Sequence, residues 1–495
     1  MTPKRVLAFD LGAESGRAVV VGFDGERLAL EEVHRFPNAP VRAFEGGRER
    51  LYWNALGLLA EVKRGIALAA NSGPLASVGV DTWGVDFGLL DRAGCLIGTP
   101  YHYRDPRTTG MLAEACARVG RESIFAATGV QLLELNSLFQ LLALRRENPG
   151  QLDAARTFLM MPDLLHYWLT GRAAAEFTNA TTSQCFDPRA RDWARPLLSS
   201  LNLPTGIFPA AVSPGTVLER LLPSVGEESG AGRVPVVAIA THDTGSAVAG
   251  APLARDCLWI SSGTWSIVGV EVHAPVLAPE ALALGFGNEG GVAGTFRLCR
   301  NVAGLWLVQE CRRSFARDGD RLSYDDLTAL AAAADSPGAY LDLRSAEFLA
   351  PPDMPEVIRG HCARTGQPVP ADRGQILRCA LESLALAYRE VLGQAESLLG
   401  RRLEVVHVFG GGSRNSLLNQ LTADATGRPV VAGPAEATSL GNALVQLGSL
   451  GYVESIAAGR ELVRRSCPLE RFEPTPGSAE PWAAAEDAMR RIRGA

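Results

Sequence analysis

Asp243 stands where a general base can meet a hydroxyl. It follows the apolar run Val234-Pro235-Val236-Val237-Ala238-Ile239, is flanked by His242 and Thr244, and is followed by Gly245. A carboxylate at the tip of a buried strand can accept a substrate proton, and the same residue can instead cap the helix that follows. Two further segments repeat one device. Val6-Leu7-Ala8-Phe9-Asp10-Leu11-Gly12-Ala13-Glu14-Ser15-Gly16-Arg17 and Cys257-Leu258-Trp259-Ile260-Ser261-Ser262-Gly263-Thr264-Trp265-Ser266-Ile267 each run apolar strand, small polar turn, apolar strand. The N–H and hydroxyl groups of such turns can cradle phosphate, and Asp10 at a strand end can hold Mg²⁺ through water. An ordinary hairpin with a type I′-like turn is the other reading of the first segment. Two matching hairpins in one chain favour phosphate.

Gly410-Gly411-Gly412 lies between the apolar run Val405–Phe409 and a helical pattern that Ser413 or Asn415 can cap. Glycines there permit close backbone approach, and the helix N-terminus suits phosphate. Gly285-Phe286-Gly287-Asn288-Glu289-Gly290 spells a dinucleotide fingerprint, but Gly294–Cys299 after it has the pattern of a strand, so a nicotinamide site is rejected. Trp83, Tyr101, Tyr103 and Trp265 are large enough to stack on a sugar face, although core or rim packing is the first expectation for each. His102, His166 and the other histidines show no metal-ligand spacing.

These residues need a scaffold of strands and helices in alternation. Val78–Val80, Val234–Ile239 and Val405–Phe409 are expected strands, each ending in polar or glycine residues. In open α/β sheets, ligands bind beyond the carboxyl ends of strands. Leu377, Leu381, Leu384, Tyr388 and Val391 predict a core-facing helix over Gln375–Ala395. Ala210–Gly215 and Ser224–Gly232 are expected surface loops. The Gly- and Ala-rich stretch near residues 245–256 predicts two domains, 1–247 and 248–495.

Composition narrows the chemistry. Lys4 and Lys63 are the only lysines, and neither stands in a Gly-Lys-Ser/Thr sequence, so a Walker-type phosphate loop is excluded. A protein-kinase fold, which needs a strand lysine, is disfavoured in the same way. A net charge of −6 argues against nucleic acid or an anionic membrane as a partner. The nine cysteines are scattered with no Cys-x-x-Cys pair, as expected of a reducing, cytoplasmic compartment. Cys362 and Cys379 bracket a loop and can form a disulfide, but free thiols are expected. Neither a signal peptide nor a membrane-spanning run is expected.

The blocks Asp10–Arg17, Asp81-Thr82-Trp83-Gly84-Val85-Asp86-Phe87, Tyr103-Arg104-Asp105, Met161-Pro162-Asp163, Thr178-Asn179-Ala180-Thr181-Thr182, His242-Asp243-Thr244, Ser261–Ser266, Asn288-Glu289-Gly290-Gly291, Gly304-Leu305-Trp306-Leu307 and Gly410-Gly411-Gly412 resemble those of the FGGY carbohydrate kinases. These belong to the sugar kinase, heat-shock and actin superfamily, and the resemblance runs from Val6 to about residue 475. It implies an α/β fold with two ribonuclease-H-like (actin-like ATPase) domains flanking a central cleft. It also implies ATP with Mg²⁺ as the phosphoryl donor and a ketose as acceptor. Asp-Thr-Trp-Gly-Val-Asp-Phe points to L-rhamnulose, phosphorylated at its C1 hydroxyl, rather than glycerol, xylulose or gluconate. By the same resemblance Asp243 is the proton acceptor, and Gly84, His242, Thr244 and Asn301 contact the sugar together with Asp243. Ala13, Glu14, Ser15, Gly16, Arg17, Thr264, Gln309 and Gly411 contact ATP. Glu14 adds a negative charge to the phosphate loop, and Thr422–Thr426 lacks a cysteine pair found in some relatives. A kinase for L-fuculose or L-xylulose is the nearest alternative, and a non-catalytic ATP-binding switch of the same fold the next. A monomer or small homo-oligomer is expected.

Overall fold

In a computed structural model the described residues, 3–349 and 351–494, divide into two compact units. The first comprises residues 1–252, 271–299 and 437–466, and the second residues 253–270, 300–436 and 467–495. The strands that carry the argument are β1 (Lys4–Leu11), β2 (Ser15–Phe23), β3 (Leu28–Pro37), β4 (Ser77–Thr82), β5 (Thr216–Arg220) and β6 (Pro235–Ala238). They continue with β7 (Cys257–Ser262), β8 (Trp265–Val272), β9 (Gly287–Gly290), β10 (Phe296–Ala303), β11 (Val405–Phe409), β12 (Val430–Ala432) and β13 (Glu470–Phe472). The helices are α1 (Ala55–Asn71), α2 (Pro223–Ser229), α3 (Asp243–Gly250), α4 (Trp306–Arg317), α5 (Arg373–Leu399), α6 (Ser416–Thr426) and α7 (Ala437–Ser449).

The first unit is built on a sheet of order β5-β6-β4-β1-β2-β3. β1, β2 and β3 pair antiparallel in succession, and β4 lies parallel to β1 with β6 parallel to β4. Continuous apolar runs suit strands covered on both faces. Leu7, Phe9, Val78, Val80 and Val236 accordingly sit in one buried cluster with Val62 and Ile66 of α1. α1 can close on β1 because Gly65 carries no side chain: a Cβ there would lie 2.6 Å from the Phe9 ring. The expected loop at Ser224–Gly232 is mostly helix α2, with Pro223 at its first turn. Proline is pre-organised for that position, and its breaker reputation misleads when it opens a helix.

The second unit repeats the pattern. β7 pairs antiparallel with β8 and parallel with β11, β11 is parallel to β12, and β13 closes the edge antiparallel. α5 forms as the apolar spacing predicts, runs slightly longer at both ends, and buries Leu377, Leu381, Leu384, Tyr388 and Val391. Its start is set by Asp372, whose side chain accepts from the Gln375 N–H at 2.9 Å. Gly411–Arg414 forms a 3₁₀ turn, and Asn415 caps α6 by accepting from the Leu418 N–H at 2.9 Å. In the 271–299 segment of the first unit, Gly287–Gly290 is strand β9, antiparallel to β10, so the fingerprint-like sequence belongs to a hairpin and opens no helix. Cys362 and Cys379 are both buried free thiols. Among the described residues no helix is long and apolar enough to cross a membrane.

Candidate active site

In the first unit, neighbouring strand ends deliver the acidic residues. The parallel register of β1 and β4 sets Asp10 beside Asp81, and a bridge between Thr82 and His242 brings the loop after β6 alongside. Asp243 is the first residue of α3. Its Oδ1 accepts from the Thr244 N–H at 2.5 Å and the Thr244 hydroxyl at 3.1 Å. The N-cap of α3 is His242 and not Asp243, so the capping reading falls away, and Asp243 keeps 30% of its side chain open. Asp81 is fully buried. Only Asp243 of this pair can be reached by a substrate.

The Asp243 loop is held from below by Glu176, which the sequence reading passed over. Its Oε2 accepts from the Thr241 N–H at 2.9 Å and the Thr241 hydroxyl at 2.8 Å, and its Oε1 from the Thr178 N–H at 2.9 Å. Thr178 in turn accepts from the His242 N–H at 3.2 Å, and the Asn179 amide donates to the carbonyls of Trp83 and Thr241 at 3.3 Å each. The Thr178–Thr182 block thus scaffolds both the Gly84 loop and the Asp243 loop. A buried glutamate requires several donors, and its neighbouring threonines were the available signal.

Asp10 forms an ion pair with Arg17 across the first hairpin, Oδ2 accepting from Nε at 3.0 Å and Nη2 at 2.7 Å. Gly16 and Arg17 lie within β2, so the turn proper is Gly12-Ala13-Glu14, closed by Gly12 N–H donating to the Ser15 carbonyl at 2.9 Å. No residue of this turn has positive φ, which rules out the type I′ form. Asn38 pins the turn by donating to the carbonyls of Gly12, at 2.8 Å, and Glu14, at 3.0 Å. Ser15 and Glu14 are exposed.

Burial, and then the charges of Asp10 and Asp243, push the Asp81 carboxyl well above the ordinary carboxylate range. Asn442 of α7 donates to Asp81 Oδ2 at 2.6 Å, while Oδ1 is buried with no hydrogen-bond partner among the described residues. This concentration of negative charge with an unmatched buried oxygen fits a divalent cation. Among the described residues no three carboxylate, imidazole or thiol groups are arranged to ligate a metal directly. The donor set therefore suits a cation that keeps its water shell, as Mg²⁺ does.

Gly84 sits in a loop of unusual backbone. Val85 has φ +69, a left-handed conformation costly for a β-branched residue. It is held by the Thr182 hydroxyl accepting from its N–H at 3.0 Å and by the Ser137 hydroxyl donating to its carbonyl at 2.5 Å. A Cβ on Gly84 would meet Thr182 Oγ1 at 2.9 Å. Trp83 is buried and packs on Trp53 with ring centroids 3.9 Å apart, so it is core and not a sugar platform. Tyr101 lies under the Arg107 guanidinium at 4.0 Å and Tyr103 stacks on His102 at 4.5 Å, while Trp265 of the second unit is 42% exposed.

Below this loop, buried Asp86 accepts from the indoles of Trp53 at 2.5 Å and Trp83 at 3.0 Å, from the Tyr103 N–H at 3.1 Å and from Gln140 at 2.7 Å. Burial outweighs these donors and pushes its carboxyl up to about 6 from 3.8. The folded protein then holds a proton that the unfolded chain has already lost across that interval, so this group's contribution to stability falls as pH rises through it. The stability difference between the native protein and Asp86→Asn is expected to move by about 2 kcal/mol in the variant's favour between about pH 4 and pH 6.5. Denaturation of both proteins across that range checks it, and a flat difference would show the carboxyl to be ordinary.

The remaining candidates lie in the second unit. Thr264 occupies the turn between β7 and β8, where its hydroxyl accepts from the Gln309 amide at 3.2 Å and its carbonyl accepts from the Trp306 N–H at 3.0 Å. The turn is therefore docked on the start of α4. Gly304 permits this: a Cβ there would lie 2.6 Å from the Thr264 carbonyl oxygen. Gly411 faces open space, whereas Gly412 packs so closely on Ser262 that a Cβ would come within 2.1 Å of its hydroxyl. Thr264, Gln309 and the triple-glycine turn thus gather around one end of β7. Asn301 lies on β10.

The chain matches the FGGY family of carbohydrate kinases in both of that family's domains, the N-terminal domain over residues 5–250 and the C-terminal domain over residues 258–450. It is 45% identical over 480 residues to a rhamnulokinase of Bacteroides thetaiotaomicron, with 97% of each chain covered. A rhamnulokinase of Pectobacterium atrosepticum is 40% identical over 96% of this chain and 94% of its own. Among solved structures, a gluconate kinase from Lactobacillus acidophilus superposes with a TM-score of 0.81 at 14% identity, covering 100% of this chain and 98% of that one. A xylulose kinase from Rhodospirillum rubrum gives 0.81 at 19% identity, covering 99% and 98%. These structures establish the expected α/β fold of two actin-like ATPase domains.

Proposed function

Because the chain belongs to the FGGY family of carbohydrate kinases, we propose that it transfers the γ-phosphoryl group of ATP to the C1 hydroxyl of L-rhamnulose, giving L-rhamnulose 1-phosphate. The observation that carries the choice of sugar is the near-complete coverage of the rhamnulokinases at 40% and 45% identity. The chemistry rests on Asp243, a partly open carboxylate at the end of the first unit's sheet. Asp243 orients the C1 hydroxyl and accepts its proton as the bond to phosphorus forms. His242, Thr244 and Gly84 hold the sugar beside it, with Asn301 as a further contact. Residues 1–247 supply the base and the first hairpin, and residues 248–495 the second hairpin.

Phosphoryl transfer asks the protein for position and charge stabilisation more than for covalent chemistry. Ala13, Glu14, Ser15, Gly16 and Arg17, together with Thr264, Gln309 and Gly411, would contact ATP. Mg²⁺ held near Asp10 through water would neutralise charge on the phosphates.

The test is ADP production from ATP·Mg²⁺ with L-rhamnulose, L-fuculose, L-xylulose, D-xylulose and glycerol. We expect L-rhamnulose to give the highest kcat/KM, by about 10- to 200-fold over a sugar that differs by one methyl group. Preference for another ketose would overturn the substrate and leave the mechanism. ATP turnover without sugar dependence would overturn the kinase itself.

A further inference from the structure

His242 approaches the same Asp243 oxygen that Thr244 contacts, and it is itself addressed by two charged groups. β9 and β10 pair antiparallel with Glu289 directly opposite Arg297. Arg297 is fully buried. Its Nε donates to the Gly290 carbonyl at 2.8 Å, its Nη1 pairs with Glu289 Oε2 at 3.0 Å, and its Nη2 lies 3.0 Å from His242 Nδ1. On the far side of the imidazole, His242 Nε2 lies 3.4 Å from Asp243 Oδ1. The arrangement uses the Asn288-Glu289-Gly290-Gly291 segment, whose sequence imitates a nucleotide loop, together with Arg297 on the facing strand.

Two partners compete for Nδ1, since Glu289 Oε2 also stands 3.2 Å from it. A guanidinium has donors and no acceptor, so its contact requires a lone pair on Nδ1 and places the ring proton on Nε2. That tautomer satisfies Arg297 and turns an N–H, not a lone pair, toward the Asp243 carboxylate 3.4 Å away, leaving only the Glu289 contact unmatched. The opposite tautomer would satisfy Glu289 alone, setting N–H against N–H at Arg297 and a lone pair against the Asp243 carboxylate. Arg297 also answers the carboxylate it displaces. Burial alone would raise Glu289, yet the Arg297 guanidinium beside it holds its carboxyl below the ordinary carboxylate range.

We infer that Arg297 and Glu289 are positioning residues: their ion pair fixes His242 with its proton on Nε2, and that N–H holds the Asp243 carboxylate in the orientation needed to accept the sugar's proton. Arg297 acts through His242 and touches neither substrate. The role of the hairpin is to set a tautomer, as the partner of a ligating or catalytic histidine commonly does. The inference rests on the reading of Asp243 as proton acceptor.

Ring-nitrogen ¹H–¹⁵N correlation spectra of the full-length protein labelled with ¹⁵N-histidine, with His242 assigned by its loss in His242→Gln, are the direct test. We expect His242 to carry its proton on Nε2 in the native protein. In Arg297→Met the Glu289 carboxylate is left free to claim Nδ1–H, and kcat is expected to fall about 10- to 100-fold with KM for the sugar changed by less than about 3-fold. Adding Glu289→Gln to Arg297→Met removes the competing carboxylate and the uncompensated charge. The double variant is expected to regain Nε2–H and most of the lost kcat. A native His242 protonated on Nδ1 overturns the inference, as does a folded double variant that stays as slow as Arg297→Met. Should Arg297→Met fail to fold, the native spectrum and the double variant measured against the native protein still decide. Full activity in Asp243→Asn would instead remove the reading of the base, a result separable from either of these.

Discussion

Asp243→Asn is expected to lower kcat by about 10²- to 10⁴-fold, the range that a positioned general base contributes, while KM for the sugar changes by only a few-fold. The asparagine keeps the shape and keeps an oxygen able to accept from the Thr244 N–H, which the carboxylate now accepts at 2.5 Å, so the start of α3 is preserved. What it loses is the capacity to take a proton. The substitution also removes one of the charges that push Asp81 upward, so the folded state is relieved of repulsion. An unchanged or raised melting temperature alongside the lost turnover would separate a chemical defect from unfolding. Turnover within about 3-fold of the native protein would sink the assignment, because removal of a base cannot be that mild.

How much of this was legible beforehand follows from the kind of information each residue needs. Asp243, the two hairpins and the triple glycine announce themselves because strand-end polarity is written in consecutive residues. Asp81 stands in a block that the sequence made prominent, but its partnership with Asp10 depends on the parallel register of β1 and β4, which no local pattern specifies. Glu176 and Arg297 are harder still. Each is a charged side chain with no exposure at all, and charge on its own predicts a solvated surface. Their function lies in what they donate to or accept from across 55 to 65 residues of chain. Trp83 errs the other way. An aromatic in a functional loop suggests a stacking platform, yet its indole is committed to Asp86 and its ring to Trp53. The helix α2 was hidden by Pro223, which opens it.

Gly441→Ala tests whether the base is held by backbone packing behind it. α3, which begins with Asp243, crosses α7 with almost no side chain between them: a Cβ at Gly441 would lie 1.8 Å from the Ser246 carbonyl oxygen and 2.6 Å from the Gly250 nitrogen. The reciprocal Cβ at Gly250 would meet the Ala437 carbonyl at 2.1 Å. These neighbours are backbone atoms, so no rotamer change relieves the overlap and the helices must separate. The expected cost is at least about 3 kcal/mol, seen as a fall of several degrees in melting temperature. Separation has a second consequence, because α7 is fastened to the sheet. Asn442 donates to Asp81 at 2.6 Å, and Gln446 donates to the Leu7 carbonyl at 3.0 Å and accepts from the Ser77 hydroxyl at 2.7 Å. With α7 anchored, it is α3 that must move, and Asp243 moves with it. A displacement near 1 Å is enough to cost about 100-fold in rate where geometry controls the reaction. The variant should therefore lose kcat at temperatures well below its melting point. A melting temperature within about 1 °C of the native value, together with native kcat, would show that the two helices do not meet at their backbones and that the position of Asp243 is set elsewhere.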